Sequence, residues 1–358
     1  MNKNYQIIRA PHQISFDITN KCNLRCLHCY NSSGENDVIA DELTDNEVLN
    51  FIKSLQDMEL YNVCFCGGEP LERKKILIDS IKLLKENKET HCTMVTNGIL
   101  LDRATFYKLV DAGLDGIQFS LDGLGENHDF LRNKNGAFEK VIDAISLVLN
   151  NSDLRLAISF TPTKYNISEF TNYYDFLTEF LKNSNRKDPN NQIDLRSQPL
   201  MLLGRAINND ILPSTLDYRM LVNSINEINE KKSASTNIKV TWGDPVDHLL
   251  RYRDTSFVMD QCTIHANGDI VVSAYLPLIV GNIRKHSLAE YWDNGLSKIW
   301  TYDIVQYLVS KIKSINDMKI ISNSIAKINY KDSIVLDLFE NDLNDINNIK
   351  DIIFDLDS

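Results

Sequence analysis

Three thiols in one short segment are the residues of this chain best suited to chemistry. Cys22, Cys26 and Cys29 follow a short alternating apolar segment, which predicts a loop at the end of a β-strand. Thiolates select zinc, copper(I) or iron–sulfur clusters, and zinc sites are usually completed by a fourth Cys or a His at helix spacing. No such ligand is obvious, because His28, between two cysteines, would have difficulty facing the ion they share. Three thiols for a four-position cluster indicate that one position is kept open, as catalysis needs.

From Gln13 to about Pro199 the sequence alternates between two kinds of segment, and the elements that they form must position the cysteine loop. Short runs of β-branched or aromatic residues are each followed by a segment with helical apolar spacing. The predicted strands are Ile14–Ile18, Asn62–Cys66, Cys92–Thr96, Gly116–Leu121, Leu154–Thr161 and Ile193–Ser197. Thr44 and Glu47 form a capping box that predicts the start of the first helix. Such alternation favours βαβ units and a parallel sheet. Six units are too few for an eight-fold barrel, so we expect an α/β fold with an open, partial barrel.

Polar residues stand at the ends of three predicted strands. Gly67-Gly68-Glu69 follows the second, Asn97 the third, and Ser120 and Asp122 the fourth. Paired glycines let the backbone approach a ligand, and a carboxylate can accept hydrogen bonds from an ammonium group. Ligands of open α/β sheets bind beyond the carboxyl ends of the strands, so we expect these residues to face the cavity of the cysteine loop. Turn formation and helix capping are the alternative explanation for the glycines, Asn97 and Asp122.

The run from Ile18 to Tyr30 resembles the signature loop of radical S-adenosylmethionine (SAM) enzymes. The resemblance implies that the three cysteines hold three irons of a [4Fe-4S] cluster and that the fourth iron binds SAM. It also implies the partial (β/α)6 barrel fold of that family. A zinc loop remains the alternative. The resemblance also implies or favours further SAM contacts. These are Tyr30 near the adenine, Gly67, Gly68 and Glu69 at the amino group, and Arg132, in the loop Asp129–Arg132, at the carboxylate. The others are Asn97, Ser120 and Asp122 at the strand ends.

An Asn-Gly turn between two β-like runs predicts a hairpin over Gln261–Ile270. With Gly281–Arg284 and Ser287–Trp292 after it, this segment resembles the SPASM module of many peptide-modifying radical SAM enzymes. In that module the hairpin leads to cysteines that hold extra clusters, whereas no cysteine follows Cys262 in this chain. We therefore expect one [4Fe-4S] cluster, no auxiliary cluster, and a module that shapes the substrate cavity.

The other four cysteines have a simple interpretation as small buried hydrophobes of strands. Cys64, Cys66 and Cys92 lie in predicted strands, and Cys66 is nearest the glycines. For Cys262 a second interpretation is a radical partner or hydrogen-atom donor, which requires a thiol that faces the cavity.

The chain of 358 residues is long enough for one large α/β domain with an appendage. The segments that we predict are a 1–12 extension, a 13–199 partial barrel, a 200–259 bridging region, a 260–300 degenerate SPASM-like module and a 301–358 acidic helical region. The stretch from Asp332 to Ser358 has eight acidic residues against Lys350. A solvated amphipathic end explains it, and a docking surface for a basic partner is the alternative.

Charge and cysteine usage limit the partners and the compartment. The net charge of −11 argues against a protein that holds long nucleic acid by its phosphates. Seven cysteines, three of them in one loop, favour a reducing interior. Met1–Ala10 is not a signal peptide, and the apolar run Ile270–Val280 is too short to span a membrane. We therefore expect a cytoplasmic protein that binds neither nucleic acid nor membrane.

The expected activity is reductive cleavage of SAM to a 5′-deoxyadenosyl radical that abstracts hydrogen from a substrate. The SPASM-like segment favours a ribosomally made peptide, with a crosslink, a thioether or an epimerised residue as product. A small-molecule precursor, such as a tetrapyrrole or a quinone, and a non-enzymatic iron–sulfur or zinc sensor are the alternatives. The expected electron donor is of the flavodoxin or ferredoxin type. Because the first strand begins near residue 13, we expect leader recognition to come from the C-terminal region, from a separate leader-recognition protein, or from neither.

Overall fold

Strands and helices alternate along the computed structural model, which describes residues 9–35, 41–86, 90–185, 192–231, 237–243, 259–317, 334–345 and 347. The strands are β1 (Gln13–Thr19), β2 (Asn62–Gly67), β3 (His91–Thr96), β4 (Gly116–Ser120), β5 (Arg155–Phe160), β6 (Ile193–Ser197), β7 (Ile238–Trp242), β8 (Gln261–Ile264), β9 (Asp269–Ser273), β10 (Leu276–Asn282) and β11 (Ile334–Val335). The helices are α1 (Asp45–Ser54), α2 (Lys74–Glu86), α3 (Arg103–Ala112), α4 (Gly125–Arg132), α5 (Ala137–Asn151), α6 (Phe170–Lys182), α7 (Thr215–Glu230), α8 (Leu288–Asp293) and α9 (Asp303–Lys311).

These strands form one sheet in the order β11-β10-β9-β8-β1-β2-β3-β4-β5-β6-β7. From β1 to β7 the neighbours are parallel and follow chain order. The expected α/β fold with a parallel sheet is therefore confirmed, and the six predicted strands match β1 to β6 with small differences at their ends. A seventh strand, β7, was not predicted from the sequence, and it extends the parallel part to seven strands.

The two faces of the parallel strands differ in polarity. One row of paired residues is apolar on all seven strands and at most 3% exposed, and its members are Phe16, Phe65, Met94, Ile117, Leu156, Ile193 and Ile238. This face belongs to the main hydrophobic core, together with the buried stripes of α2 and α5. The capping box at α1 is present, since the Thr44 hydroxyl accepts a hydrogen bond from Glu47 N, and Glu47 accepts one from Thr44 N. Polar side chains such as those of Ser120, Ser159 and Arg196 lie on the opposite face.

The C-terminal strands continue the same sheet on the other side of β1. The predicted hairpin is present as antiparallel β8 and β9, and β8 pairs in parallel with β1 from Gln13–Gln261 to Phe16–Ile264. At the far edge, β11 pairs with β10. The apolar run from Ser333 to Phe339 predicts a longer strand, but within the described residues the strand covers only Ile334–Val335. Ile349, Ile353 and Leu356 recur at helical spacing in the sequence, and Trp242-Gly243-Asp244-Pro245 predicts a turn. The three apolar residues and the second half of that turn lie outside the described residues. No helix in the described ranges is long and apolar enough to cross a membrane.

Candidate active site

The cysteine loop leaves the end of β1 and is held on one side by the glycine pair. Gly68 N donates to Thr19 O at 2.8 Å, and Glu69 N donates to Lys21 O at 2.8 Å. A Cβ on Gly68 would lie 2.1 Å from Lys21 O and 2.6 Å from Asn20 O. The backbone of the loop therefore comes so close to this turn that only glycine fits.

A segment that the sequence analysis placed in the bridging region holds the other side of the loop. Gly204 has a φ of +54°, and a Cβ there would lie 2.6 Å from Cys29 O. Arg205 N donates to Cys29 O at 2.9 Å, and the Arg205 guanidinium donates to Cys26 O at 2.9 Å and Ser33 O at 3.1 Å. The Gly-Arg pair after β6 was the sequence signal that could have revealed this contact.

The three thiols line one cavity and receive hydrogen bonds from the chain. Leu24 N lies 3.4 Å from Cys22 Sγ, Ser33 N lies 3.4 Å from Cys29 Sγ, and the Arg132 guanidinium lies 3.6 Å from Cys26 Sγ. Burial raises the pKa of Cys22 to about 12, so this thiol stays protonated until a metal displaces the proton. Soft sulfur ligands with N–H donors aimed at them suit an iron–sulfur cluster.

Buried polar atoms around the loop also fit a group bound at the three thiols. His28 Nδ1, Ser32 Oγ, Ser33 Oγ and Arg132 Nε are buried, and none has a hydrogen-bond partner within the described chain. Such an atom costs about 1–3 kcal/mol unless something satisfies it. Across the described ranges, no three His, Cys, Asp or Glu side chains converge as ligands of one metal ion would. A [4Fe-4S] cube does not need that convergence, because each thiolate binds a different iron.

Asp122 lies behind the cavity wall rather than in it, which corrects the expectation of a SAM contact. Its carboxylate is fully buried, pairs with Arg132, lies 3.1 Å from His28 Nε2 and accepts a hydrogen bond from Thr161 N at 2.8 Å. Burial alone would raise the pKa of Asp122, but Arg132 and then His28 hold it well below its usual range. Asp122 therefore positions two side chains that do line the cavity.

Arg132 is the last residue of α4 and not part of a loop as expected. The sequence Asp129–Arg132 continues an amphipathic turn that buries His128, Leu131 and Arg132. The helix thus delivers the guanidinium to both Asp122 and Cys26.

Glu69 is also buried and does not line the cavity. Its carboxylate accepts hydrogen bonds from Thr96 Oγ1 at 2.7 Å, Asn97 N at 2.8 Å and Leu71 N at 3.1 Å. Burial raises the pKa of Glu69 to about 7. In this arrangement Glu69 ties the end of β2 to the end of β3, and it is the glycines before it that reach the cavity.

The cavity has a volume of about 570 Å³ and contains Tyr30, Gly67, Gly68, Asn97 and Ser120 in its wall, together with the three cysteines and Arg132. Tyr30 is 41% exposed, and Asn97 Nδ2 donates to Asn23 Oδ1 at 2.8 Å within the loop. A polar row, made of the paired residues Ser120, Ser159, Arg196 and Thr241, crosses four strands on this face. The structure thus brings most of the expected contacts to one place.

Cys262 does not face this cavity, so the hydrogen-donor interpretation of that residue is wrong. It is 1% exposed within the hydrophobic core, where it pairs with Ile14 across β8 and β1. Burial raises the pKa of Cys262 to about 12. Cys66, which the sequence analysis treated as a buried hydrophobe, lines the cavity instead.

The fold and the site define an α/β enzyme domain that carries a three-thiol loop at the C-terminal edge of its parallel strands. Residues 16–177 match the radical SAM superfamily. A relative, AdoMet-dependent heme synthase from Methanosarcina barkeri, is 27% identical over 311 residues, which cover 80% of this chain and 83% of that protein. Residues 16–177 therefore form a radical SAM enzyme domain.

Two solved structures are similar in fold. Streptococcus suis SuiB bound to its precursor peptide SuiA aligns with a TM-score of 0.64 at 16% identity, over 86% of this chain and 74% of SuiB. The enzyme anSMEcpe with bound AdoMet aligns with a TM-score of 0.62 at 16% identity, over 96% of each chain. The family implies a [4Fe-4S] cluster and SAM as cofactors.

Proposed function

We propose that this enzyme modifies a ribosomally made peptide by radical SAM chemistry. The observation that carries the proposal is the composition of the cavity wall away from the cysteine loop. Six side chains of this part end in hydroxyl or amide groups, namely those of Gln118, Ser159, Thr161, Ser197, Gln198 and Thr241, and no described lining residue is acidic. Such groups pair well with the amides of a peptide backbone. The fold similarity to SuiB, whose structure holds a precursor peptide, supports the same substrate class.

In this proposal Cys22, Cys26 and Cys29 hold the cluster, and the SAM contacts are Tyr30, Gly67, Gly68, Asn97, Ser120 and Arg132. When bound, the cluster and SAM supply a 5′-deoxyadenosyl radical that removes a hydrogen atom from the substrate. The backbone of the glycine pair lies beside the loop, so it receives the amino group of SAM. Arg132, whose charge Asp122 fixes, offers planar donors to the carboxylate. Glu69 and Asp122 act indirectly: Glu69 supports the turn that carries the glycine pair, and Asp122 holds Arg132.

The second candidate substrate is a tetrapyrrole, which the similarity to the heme synthase favours. A tetrapyrrole carries several carboxylates on a large flat ring, so its site needs several cations. Three arginines line the described part of the cavity. Arg132 and Arg205 are engaged with the cysteine loop, and Arg196 donates to Gln118 at 3.0 Å. Among the described lining arginines, Arg196 alone is remote from the cysteine loop. A single cation there suits a near-neutral peptide better than a tetrapyrrole with several carboxylates.

The test uses protein reconstituted anaerobically with iron and sulfide. It is incubated with SAM, a low-potential one-electron reductant of the flavodoxin or ferredoxin class, and peptides encoded by short reading frames beside its gene. We expect 5′-deoxyadenosine and a peptide of changed mass. The Cys26→Ala variant should give neither. A tetrapyrrole that changes while every peptide stays intact would show that the substrate class is wrong.

The same preparation tests the expectation of a single cluster. With Cys22, Cys26 and Cys29 as its ligands, the chain should hold about four irons. A count near eight would contradict the proposal that no auxiliary cluster is present.

A further inference from the structure

Arg196 differs from the other two arginines of the cavity wall in how much of its charge is already used. Arg132 pairs with the buried Asp122, and Arg205 is held by Glu35 and by backbone oxygens of the cysteine loop. The side chains of Arg132 and Arg205 are 10% and 16% exposed, whereas that of Arg196 is 55% exposed. The first two guanidiniums therefore hold the cysteine loop, and the third is open to a ligand.

The partners of Arg196 within the described residues are weak ones. Its guanidinium donates to the side-chain oxygen of Gln118 at 3.0 Å, and this acceptor is neutral. Its contact with Asp194 on the same strand is 3.5 Å long and joins two partly exposed side chains, and exposed ion pairs of this kind contribute little. Asp194 does not line the cavity. A guanidinium carries five N–H donors, so Arg196 keeps donors for a ligand.

Two hydroxyl groups flank Arg196 at the same level of the sheet. Arg196 pairs with Ser159 of β5 on one side and with Thr241 of β7 on the other, so the three side chains point to the same face. The hydroxyls donate to backbone oxygens at 3.4 Å and 3.5 Å, whereas a good O–H···O bond is about 2.7–2.8 Å long. Both hydroxyls can therefore rotate and donate to a ligand instead.

The charge of this region selects the ligand. No acidic side chain lines the described part of the cavity, although the whole chain has a net charge of −11. A planar guanidinium suits a carboxylate, with which it can form two parallel hydrogen bonds. A phosphate chain or a tetrapyrrole would bring several negative charges, and one open guanidinium would leave most of them unpaired. A single carboxylate is the anion that matches this site.

We propose that Arg196 is a specificity-determining residue that binds one carboxylate of the peptide substrate, with Ser159 and Thr241 as additional donors. The carboxylate belongs to an aspartate or glutamate side chain or to the C-terminus of the peptide. This inference rests on the proposed function and narrows it, because it selects peptides that carry a carboxylate in the segment that enters the cavity.

The test measures binding and needs no turnover. Reconstituted enzyme with SAM and without reductant is titrated with each peptide encoded by a short reading frame beside the gene, labelled with a fluorophore at its N-terminus. Fluorescence polarisation gives the Kd. Peptides in which one acidic residue is replaced by its amide, or in which the C-terminus is amidated, locate the carboxylate. One of these changes should raise the Kd about 10- to 100-fold, and it identifies the source of the carboxylate.

Enzyme variants show whether Arg196 is the partner of that carboxylate. Arg196→Gln should raise the Kd of the unaltered peptide by a similar factor, and the peptide change should then have no further effect, because both substitutions remove the same contact. Arg155→Gln is the matched control, since Arg155 is an exposed arginine at the start of β5 that does not line the cavity. It should keep the wild-type Kd. Independent, additive effects of the two changes, or a loss of SAM binding instead of peptide binding in Arg196→Gln, would overturn the inference.

Chemical modification of the wild type tests the same contact without a variant. Phenylglyoxal reacts with accessible guanidiniums, and mass spectrometry after proteolysis gives the modified fraction at each arginine. In the free enzyme we expect Arg196 to react faster than Arg132 and Arg205. Bound peptide should protect Arg196 and leave Arg155 reactive. If the peptide binds and Arg196 stays as reactive as before, the carboxylate does not lie on its guanidinium.

The inference and the proposed function fail in different ways. A peptide that is modified regardless of its carboxylates contradicts the role of Arg196 and leaves the proposed function intact. A peptide that binds through its carboxylate but never changes mass contradicts the proposed function and leaves the binding role of Arg196 intact. If no peptide binds and none changes, both are wrong.

Discussion

Asp122 shows how a residue without a cofactor contact can govern the site. Its carboxylate compensates a guanidinium that is itself buried, and it also holds His28. Removing one partner of a buried ion pair leaves an uncompensated charge. We expect Asp122→Asn to lower the free energy of unfolding by about 3–5 kcal/mol, measured by urea denaturation.

The matched control is Asp102→Asn. Asp102 caps α3 and pairs with Lys74 at 3.0 Å in an exposed position. The loss there should be about 1 kcal/mol. Equal losses for the two variants would show that burial of the Arg132 charge is not what makes Asp122 important.

Glu69 makes the stability depend on pH in a defined window. Its pKa is raised to about 7 in the folded protein, against 4.5 for an ordinary glutamate. Between these values the folded state keeps a proton that the unfolded chain has lost, so the free energy of unfolding falls as the pH rises. Its slope contribution is up to about 1.4 kcal/mol per pH unit and disappears above pH 7.

The comparison of wild type with Glu69→Gln between pH 5 and 7 isolates this contribution. Urea unfolding should show a shallower pH dependence in the variant. Glu139→Gln, on the exposed side of α5, is the control and should keep the wild-type slope. If Glu69→Gln also keeps it, Glu69 does not take up a proton on folding.

At the scale of elements, the turn between β2 and α2 forms one wall for the cysteine loop. Gly68→Ala would bring a methyl group within 2.1 Å of Lys21 O, and because that atom is backbone the loop must move. We expect the variant to lose most of its iron after reconstitution, measured as iron per chain.

Gly136→Ala is the matched control, because it introduces backbone strain without a steric clash. Gly136 has a φ of +76°, and no atom lies within 4 Å of an added Cβ. The substitution should cost about 1 kcal/mol of stability and leave the iron content unchanged. Normal iron content in Gly68→Ala would contradict the role given to the glycine pair.

The sequence predicted local features of the fold better than long-range ones. Alternation of apolar residues located β1 to β6, and the Asn-Gly turn located the hairpin of β8 and β9. In the run Ile238–Trp242, β-branched residues are frequent and apolar residues alternate with polar ones. The run lies outside the regular alternation of strand-like and helix-like segments, so β7 was not predicted. The pairing of β8 with β1 joins residues about 250 positions apart, and nothing local in either strand specifies it.

The same limit applies to the site. Motif residues such as Cys22 and Gly68 could be identified from the sequence, because a cluster ligand requires a thiol and a close backbone contact requires a glycine. The placement of Asp122 behind the cavity wall and of Cys66 in that wall could not be predicted, since it depends on which way a strand end faces and on the partners that fold beside it. Cys262 and Cys66 both stand in strands, and only burial separates the core thiol from the cavity thiol.

At the scale of the whole molecule, β1 is an interior strand, with β2 on one side and β8 on the other. The strand that carries the cysteine loop therefore depends on the C-terminal hairpin for the hydrogen bonds of one of its two edges, from Gln13 to Phe16. Arg284, just after β10, adds contacts to Glu47 at 2.6 Å and Asp41 at 2.8 Å. The barrel and the hairpin share one hydrophobic core, and they should unfold together.

Tryptophan fluorescence can test this coupling in the full chain. Of the three tryptophans, Trp292 and Trp300 are buried in the C-terminal part and Trp242 stands in β7. In a Trp242→Phe variant, fluorescence reports only the C-terminal part, whereas far-UV circular dichroism reports the whole fold. Because β8 and β1 share a ladder, we expect both signals to change at the same urea concentration. A fluorescence transition well before the circular dichroism transition would show that the C-terminal strands form a separate unit and that β1 keeps its place without them.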